Sequence, residues 1–303
     1  MPTSLSEAVG PKSIGRRIRK AQEDALRALD AGQTDAVKEI LALLKTLRAD
    51  IQRELAAIAP ERFAASHLER LLVAVEAAVA NFSARAQEIS ARGSEAAAKL
   101  GQKYWDDVQL LLRPPAPGLV PVSPVLSDEL LSVVSSMSTE LIRGLADDVA
   151  AQTKAAIQRA VLGAQTPFEA MRQVSTIVGP RGDVGAGAAA ERIVRTEMGR
   201  AYNAVDDAMA QKIAEERPED LPALKKAWIA TMDARTRDAH VKAHKQVRDV
   251  DEPFRVDGED IDYPLDPKGS PGNTINCRCV KIVLPEDLLD EELARFPGKQ
   301  GGE

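Results

Sequence analysis

The sequence is short of several things, and each shortage excludes something. Two cysteines in 303 residues cannot build a disulfide framework. Aromatic residues make up only 3% of the chain, which disfavours an aromatic-rich β-sandwich and favours helices packed through Ala and Leu. No apolar run approaches the ~18 residues a membrane span needs; the best, Leu71 to Val75, is cut by Glu76. The opening stretch MPTSLSEAVGPKSIGRRIRK carries charge with no apolar core behind it, so it does not read as a secretory signal. Excess positive charge is also missing: the net charge of −6 argues against a generic nucleic-acid coat. These shortages predict a soluble protein made in a reducing cytoplasm, with no membrane partner. What remains, 44% apolar and 28% charged residues, suits one to three globular domains.

The charge is unevenly spread. Lys12, Arg16, Arg17, Arg19 and Lys20 fall together near the start with no acid between them. Seven basic residues lie between Lys225 and Arg248, and eight acids between Asp249 and Asp266. Such blocks read first as solvated faces. The N-terminal cluster is also a candidate for sequence-independent contact with DNA phosphates.

The pattern predicts a mainly α protein with a small α+β C-terminal domain. Residues 1–113 form a long-helix region: Val37, Ile40, Leu41, Leu44, Leu47, Ile51, Leu55 and Ile58 recur at helical steps, with Thr34 as the expected N-cap and Pro60 as the stop. Residues 114–124 are a Pro-rich linker, since five prolines in PPAPGLVPVSP forbid a helix. Residues 125–187 form a helical middle region, capped first at Ser127 and again at Thr166-Pro167-Phe168-Glu169, a capping box with proline in the first turn. Residues 188–284 open on a helix and change texture at Lys225: a strand in KKAWIATMD, a short helix in ARTRDAHVKAHKQ, a hairpin in VRDVDEPFRVDG, and a strand in CRCVKIVL. Residues 285–303 are a helix opened by Pro285 and a tail.

Histidine and cysteine are so scarce that their grouping draws notice. His240 and His244 stand at i, i+4 on an expected helix, and Cys277 and Cys279 at i, i+2 on an extended backbone. Two nitrogens and two sulfurs are the donor set of a tetrahedral structural zinc site, provided the Cys-Arg-Cys segment kinks. The competing reading is a buried cysteine pair with His244 on the surface. A catalytic cysteine–histidine pair oriented by Asp233 or Asn276 is the enzymatic alternative. No nucleophile turn, no HExxH and no zinc-deaminase spacing accompanies it, so the expectation is that the protein is not an enzyme. Arg195 and Glu197 open a periodic helix and read as surface charge or anchors for neighbouring segments.

The order RTEMGRAYNAV, KKAWIATMDARTRDAHVKAH, DEPFRVDG, INCRC closely resembles the phage Mu F-like head morphogenesis (minor head protein) family over roughly residues 188–284. The resemblance implies a minor capsid protein of a tailed phage or prophage, located in the virion at the portal vertex and in the host cytoplasm during assembly. It implies binding to the portal protein, with the major capsid or scaffold protein and packaged DNA as further partners, and a part in procapsid assembly, DNA packaging or ejection. It carries over no catalytic residue. It makes Arg195, Glu197, Trp228, Asp233, Arg235, Arg237 and Asn276, with the His/Cys cluster, a structural and interaction core, in which Asp233 and the arginines form a salt-bridged turn that fixes His240. The rival readings are a nuclease or transferase-like toxin using the His/Cys cluster, and a stand-alone DNA-binding protein.

Overall fold

The computed structural model describes residues 11–57, 65–112, 128–179, 185–217, 221–296 and 298. The Pro-rich linker, Pro60, Ser127 and the side chain of Lys12 lie outside the described residues. Five helices come first: α1 (Pro11–Ala56), α2 (Ala65–Leu112), α3 (Asp128–Val161), α4 (Pro167–Ile177) and α5 (Ala186–Glu215). A compact run of short elements follows: β1 (Leu224–Ile229), α6 (Asp238–Ala243), β2 (Val247–Asp249), β3 (Phe254–Val256), β4 (Glu259–Ile261), α7 (Pro271–Thr274), β5 (Val280–Pro285) and α8 (Glu286–Leu293). The protein is mainly helical with a small C-terminal β-containing module, as its composition and periodicity predict.

Packing groups the residues into two units, each drawn from separate stretches of chain. One comprises Ala31–Ala96 and Leu131–Met198. Its core is aliphatic: Ile40, Leu44, Leu47, Ile51, Leu71, Val75, Ile142, Ile157 and Val174 are all at most 1% exposed. Of the stripe read from the sequence, Val37, Ile40, Leu44, Leu47, Ile51 and Leu55 are buried in α1, Leu41 is half-buried, and Ile58 lies outside the described residues. Thr34 does not cap a helix, because α1 runs unbroken through it. Upstream Ile18, Ala25 and Leu29 are buried as well, so the apolar face extends backward and packing overrides the local cap signal. Thr166 does cap: its side chain accepts from the Glu169 amide while the Glu169 carboxylate accepts from the Thr166 amide at 2.7 Å.

The other unit comprises Met1–Asp30, Ala97–Leu130 and Gly199–Glu303. Its main sheet is antiparallel in the order β2-β1-β5, with Lys225 opposite Asp249 and Trp228 opposite Lys281. The expected hairpin within Val247–Gly258 does not form. β2 instead pairs with β1, and β3 turns back onto β4 through Asp257 and Gly258, whose φ angles are 53° and 81°. Two consecutive positive φ values are what a type I′ hairpin turn demands, and Asp-Gly supplies them at low cost. Gly101 on α2 allows close helix approach, since a Cβ there would lie 2.9 Å from the Tyr202 carbonyl oxygen of α5. The sign blocks are largely spent within the module. Lys225 pairs with Asp249 at 2.6 Å, Arg255 with Asp260 at 2.7 Å and Lys268 with Asp262 at 2.5 Å.

Candidate functional site

The histidine and cysteine side chains meet inside an apolar cluster. Trp228, on the central strand, is fully buried and touches two rings edge-on: Phe254 with centroids 5.4 Å apart and His240 at 5.5 Å. Around them pack Ala230, Ala243, Val256, Ile261, Leu265, Cys277 and Cys279. Within this cluster His240 Nδ1 lies 3.2 Å from Cys279 Sγ and 3.5 Å from Cys277 Sγ. The three donor atoms lie within 4.8 Å of one another.

Local backbone explains the arrangement. α6 holds His240 on its inner face, but the helix ends at Ala243 and His244 leaves it with φ −57° and ψ 130°. The i, i+4 argument needs both residues to be helical. Past the helix end the His244 ring turns toward β1, where Nδ1 accepts the Ala230 amide at 3.2 Å. His244 is therefore placed beside the strand and not among the donors. Both cysteines precede β5. Asn276, at φ 56°, swings the chain after α7, a conformation Asn tolerates better than most residues. Alternation then buries Cys277 and Cys279 and leaves Arg278 between them exposed.

The loop is clamped from the Asp233 turn. Arg278 makes a two-pronged ion pair with Asp233, at 2.5 and 2.7 Å. The Thr231 hydroxyl donates to the Arg278 carbonyl at 2.7 Å, and Arg237 donates to the Ile275 carbonyl at 2.6 Å. Asp233 also accepts the Arg235 amide at 2.9 Å, while the Arg235 side chain is exposed. The carboxylate's ion-pair partner is therefore Arg278, and not Arg235 or Arg237 as the sequence suggested. Sequence reasoning missed Arg278, although its place between the two cysteines was the available signal. The Arg278 guanidinium and the local hydrogen bonds hold the Asp233 carboxyl well below the usual range.

The two sulfurs perturb each other in opposite directions. The Cys279 thiol donates toward Cys277 and, with His240, outweighs burial to lower the Cys277 pKa to about 5. The same contact, with burial, pushes Cys279 upward. A thiolate beside an imidazole and a second thiol can serve as a buried polar cluster or as a metal donor set. Tetrahedral zinc with ordinary bond lengths would hold N and S roughly 3.5 Å apart. The observed 3.2 and 3.5 Å are close to that spacing for both nitrogen–sulfur pairs.

Other sequence-selected residues lie elsewhere. In the first unit described above, Arg195 pairs with Glu191 at 3.0 Å on α5, its carbonyl accepts from Gln33 at 3.1 Å, and Glu197 is buried. In the second, Arg19 forms an ion pair with Glu292 of α8 at 2.8 Å, whereas Arg16, Arg17 and Lys20 are exposed. A buried charge cluster in that same unit was not anticipated. Lys281 is 1% exposed, and its ammonium lies 2.7 Å from Asp207 and 3.2 Å from Asp206. Lys226 Nζ sits 3.9 Å from Asp207, and the Trp105 indole donates to Asp206 at 2.8 Å. Burial opposes the Lys281 charge, but the two carboxylates outweigh it and keep its pKa above the ordinary 10.5. The available signal was lysine inside otherwise apolar strands.

Among the described residues no helix is long and apolar enough to cross a membrane. No solved structure matches the chain. The NAD(+)--arginine ADP-ribosyltransferase EFV of Enterococcus faecalis is 35% identical over 100 residues, covering 33% of this chain. The match spans only 20% of that relative's length. Residues 148–282 match the family model described as Phage Mu protein F like protein, a span that starts in α3 and ends in β5. Over residues 148–282, a little under half of the chain, the protein is thus similar to the Phage Mu protein F like family, the family that its ordered C-terminal motifs resemble.

Proposed function

We propose that the protein is a minor capsid protein of a tailed phage or prophage that binds the portal vertex and assists procapsid assembly, DNA packaging or ejection. The observation that carries this reading is the family match over residues 148–282. The protein acts by binding and not by catalysis, at the virion's portal vertex and, during assembly, in the host cytoplasm. Its partners are the portal protein and the major capsid or scaffold protein, with packaged DNA as a sequence-independent contact. A structural zinc ion is the cofactor that the thiolate and imidazole donors suit.

Of the five residues suggested for DNA contact, Arg16, Arg17 and Lys20 are exposed, Arg19 is paired with Glu292, and the side chain of Lys12 lies outside the described residues. Deleting the first twenty residues would be a poor test, since Ile18 is 2% exposed and belongs to the core. Reversing the three exposed charges to Glu leaves that core intact. The expected result is weaker binding to duplex DNA and a salt dependence shallower by roughly one unit per lost phosphate contact. Unchanged binding removes DNA from the partners.

The test of the main reading is co-expression with the portal protein of the same phage or prophage, followed by size-exclusion chromatography. Co-elution as a defined complex is expected. A folded chain that elutes alone would overturn portal binding. The enzymatic alternative rests on the Cys277–His240 pair. It requires folded Cys277→Ser protein to lose an activity that the unaltered chain displays.

A further inference from the structure

Resting on the structural-zinc part of that reading, we propose that His240 Nδ1, Cys277 Sγ and Cys279 Sγ form a three-donor site for a soft divalent cation, with His244 outside it and Asp233, Arg237 and Arg278 as the residues that position the cysteine loop. Four observations support this. The donors already converge to within 4.8 Å in an interior packed by Trp228, Phe254, Ala230 and Ala243, and among the described residues no carboxylate joins the group. Two thiolates neutralise a divalent charge, which a buried apolar site requires. Sulfur and imidazole select zinc-like ions over magnesium or calcium, which take oxygen ligands. His244 spends Nδ1 on the Ala230 amide, a contact that ties the end of α6 to β1.

Three protein donors leave a fourth position for a small exogenous ligand such as water. The fourth ligand of such a structural ion is then not a protein side chain, which departs from the closed tetrad of two histidines and two cysteines that the sequence suggested. The loop that supplies both sulfurs is only five residues long, from Ile275 to Cys279. It is held at both ends by side chains of the Asp233–Arg237 turn, through Arg237 to the Ile275 carbonyl and Asp233 to Arg278. Thr231 adds a third tie at the Arg278 carbonyl. The Asp233, Arg237 and Thr231 side chains bind the loop through the Ile275 and Arg278 carbonyls and the Arg278 guanidinium, so their role is to fix the geometry of the loop that carries the donors.

The experiment is titration of the full chain, purified under reducing conditions and freed of metal, with Co2+ and then Zn2+. Cobalt reports sulfur ligation directly through its thiolate charge-transfer absorption. The expected result is one equivalent bound with a thiolate band that Zn2+ abolishes. X-ray absorption of the zinc form should show two sulfur neighbours. His244→Ala should leave stoichiometry and sulfur count unchanged, whereas Cys277→Ser and Cys279→Ser should each remove one sulfur. Asp233→Asn and Arg278→Lys should weaken affinity about 10- to 100-fold with the ligand set intact, the range seen when groups supporting a ligand are altered. A folded wild-type chain that binds no cobalt overturns the proposal, as does loss of one nitrogen ligand on His244→Ala. Because the wild-type measurement needs no variant, a misfolded mutant does not protect the idea. A chain that binds no cobalt yet co-elutes with the portal would sink this site and leave portal binding standing.

Discussion

Thr166 and Glu169 show how much a single pair of side chains states in advance. Proline at the first helical position, a hydroxyl before it and a carboxylate three residues on form a capping box in sequence and in space. Thr166→Ala should cost about 1 kcal/mol in a urea titration. Hydrogen bonds from the Thr166 backbone and then its hydroxyl hold the Glu169 carboxyl below its ordinary 4.5. A depressed folded pKa means the contribution is complete above the unfolded value and lost as pH falls through the folded one. Carboxyl-detected NMR should therefore find Glu169 titrating below 4.5. Lys281 is the opposite case, because nothing local in CVKIVL says where its charge goes. Lys281→Met should destabilise by about 3–5 kcal/mol, since it leaves Asp206 buried without its ammonium partner and Asp207 with only the more distant Lys226. Adding Asp206→Asn and Asp207→Asn should recover much of that loss, which a thermodynamic cycle would measure.

At the scale of elements, the short strands are where local pattern fails. VRDVDEPFRVDG contains two apolar-alternating runs around an acidic tip, so it reads as a hairpin. Yet the dipeptide with the right backbone chemistry is Asp257-Gly258, at the end of that segment. It joins β3 to β4, which frees β2 to take the edge of β1. Gly258→Val tests this cleanly, because no atom lies within 4 Å of where its Cβ would be. Any loss is then backbone strain at positive φ, about 1–2 kcal/mol, readable as a lower unfolding midpoint. The same lesson applies to α6. One residue of helix more or less decides whether His244 stands above His240, and helix ends are set by tertiary contacts such as the Ala230–His244 bond.

For the whole molecule, contiguity in sequence does not equal contiguity in structure. The module containing the sheet draws on Met1–Asp30 and Ala97–Leu130 as well as the C-terminal third. Gln22 donates to the Lys281 carbonyl at 2.6 Å, Arg19 pairs with Glu292, and Trp105 donates to Asp206. A fragment of residues 188–284 lacks all of these N-terminal partners and keeps Asp206, Asp207 and Lys281. Expressed alone, it should lose cooperative thermal unfolding while the full chain retains it, as circular dichroism would record.

The sequence by itself determined the helical class, the span of α3, the capping box opening α4, the texture change near Lys225 and the ordered motifs of the family region. All of these rest on interactions between residues a few positions apart, or on motif order along the chain. Tertiary structure decided which of four candidate donors meet, that Arg278 answers Asp233, that the α1 stripe is internal, and that lysines lie buried against aspartates. Those outcomes depend on where distant segments pack and where short elements end. Periodicity carries no term for either, because burial energy is shared among residues that lie a hundred or more positions apart.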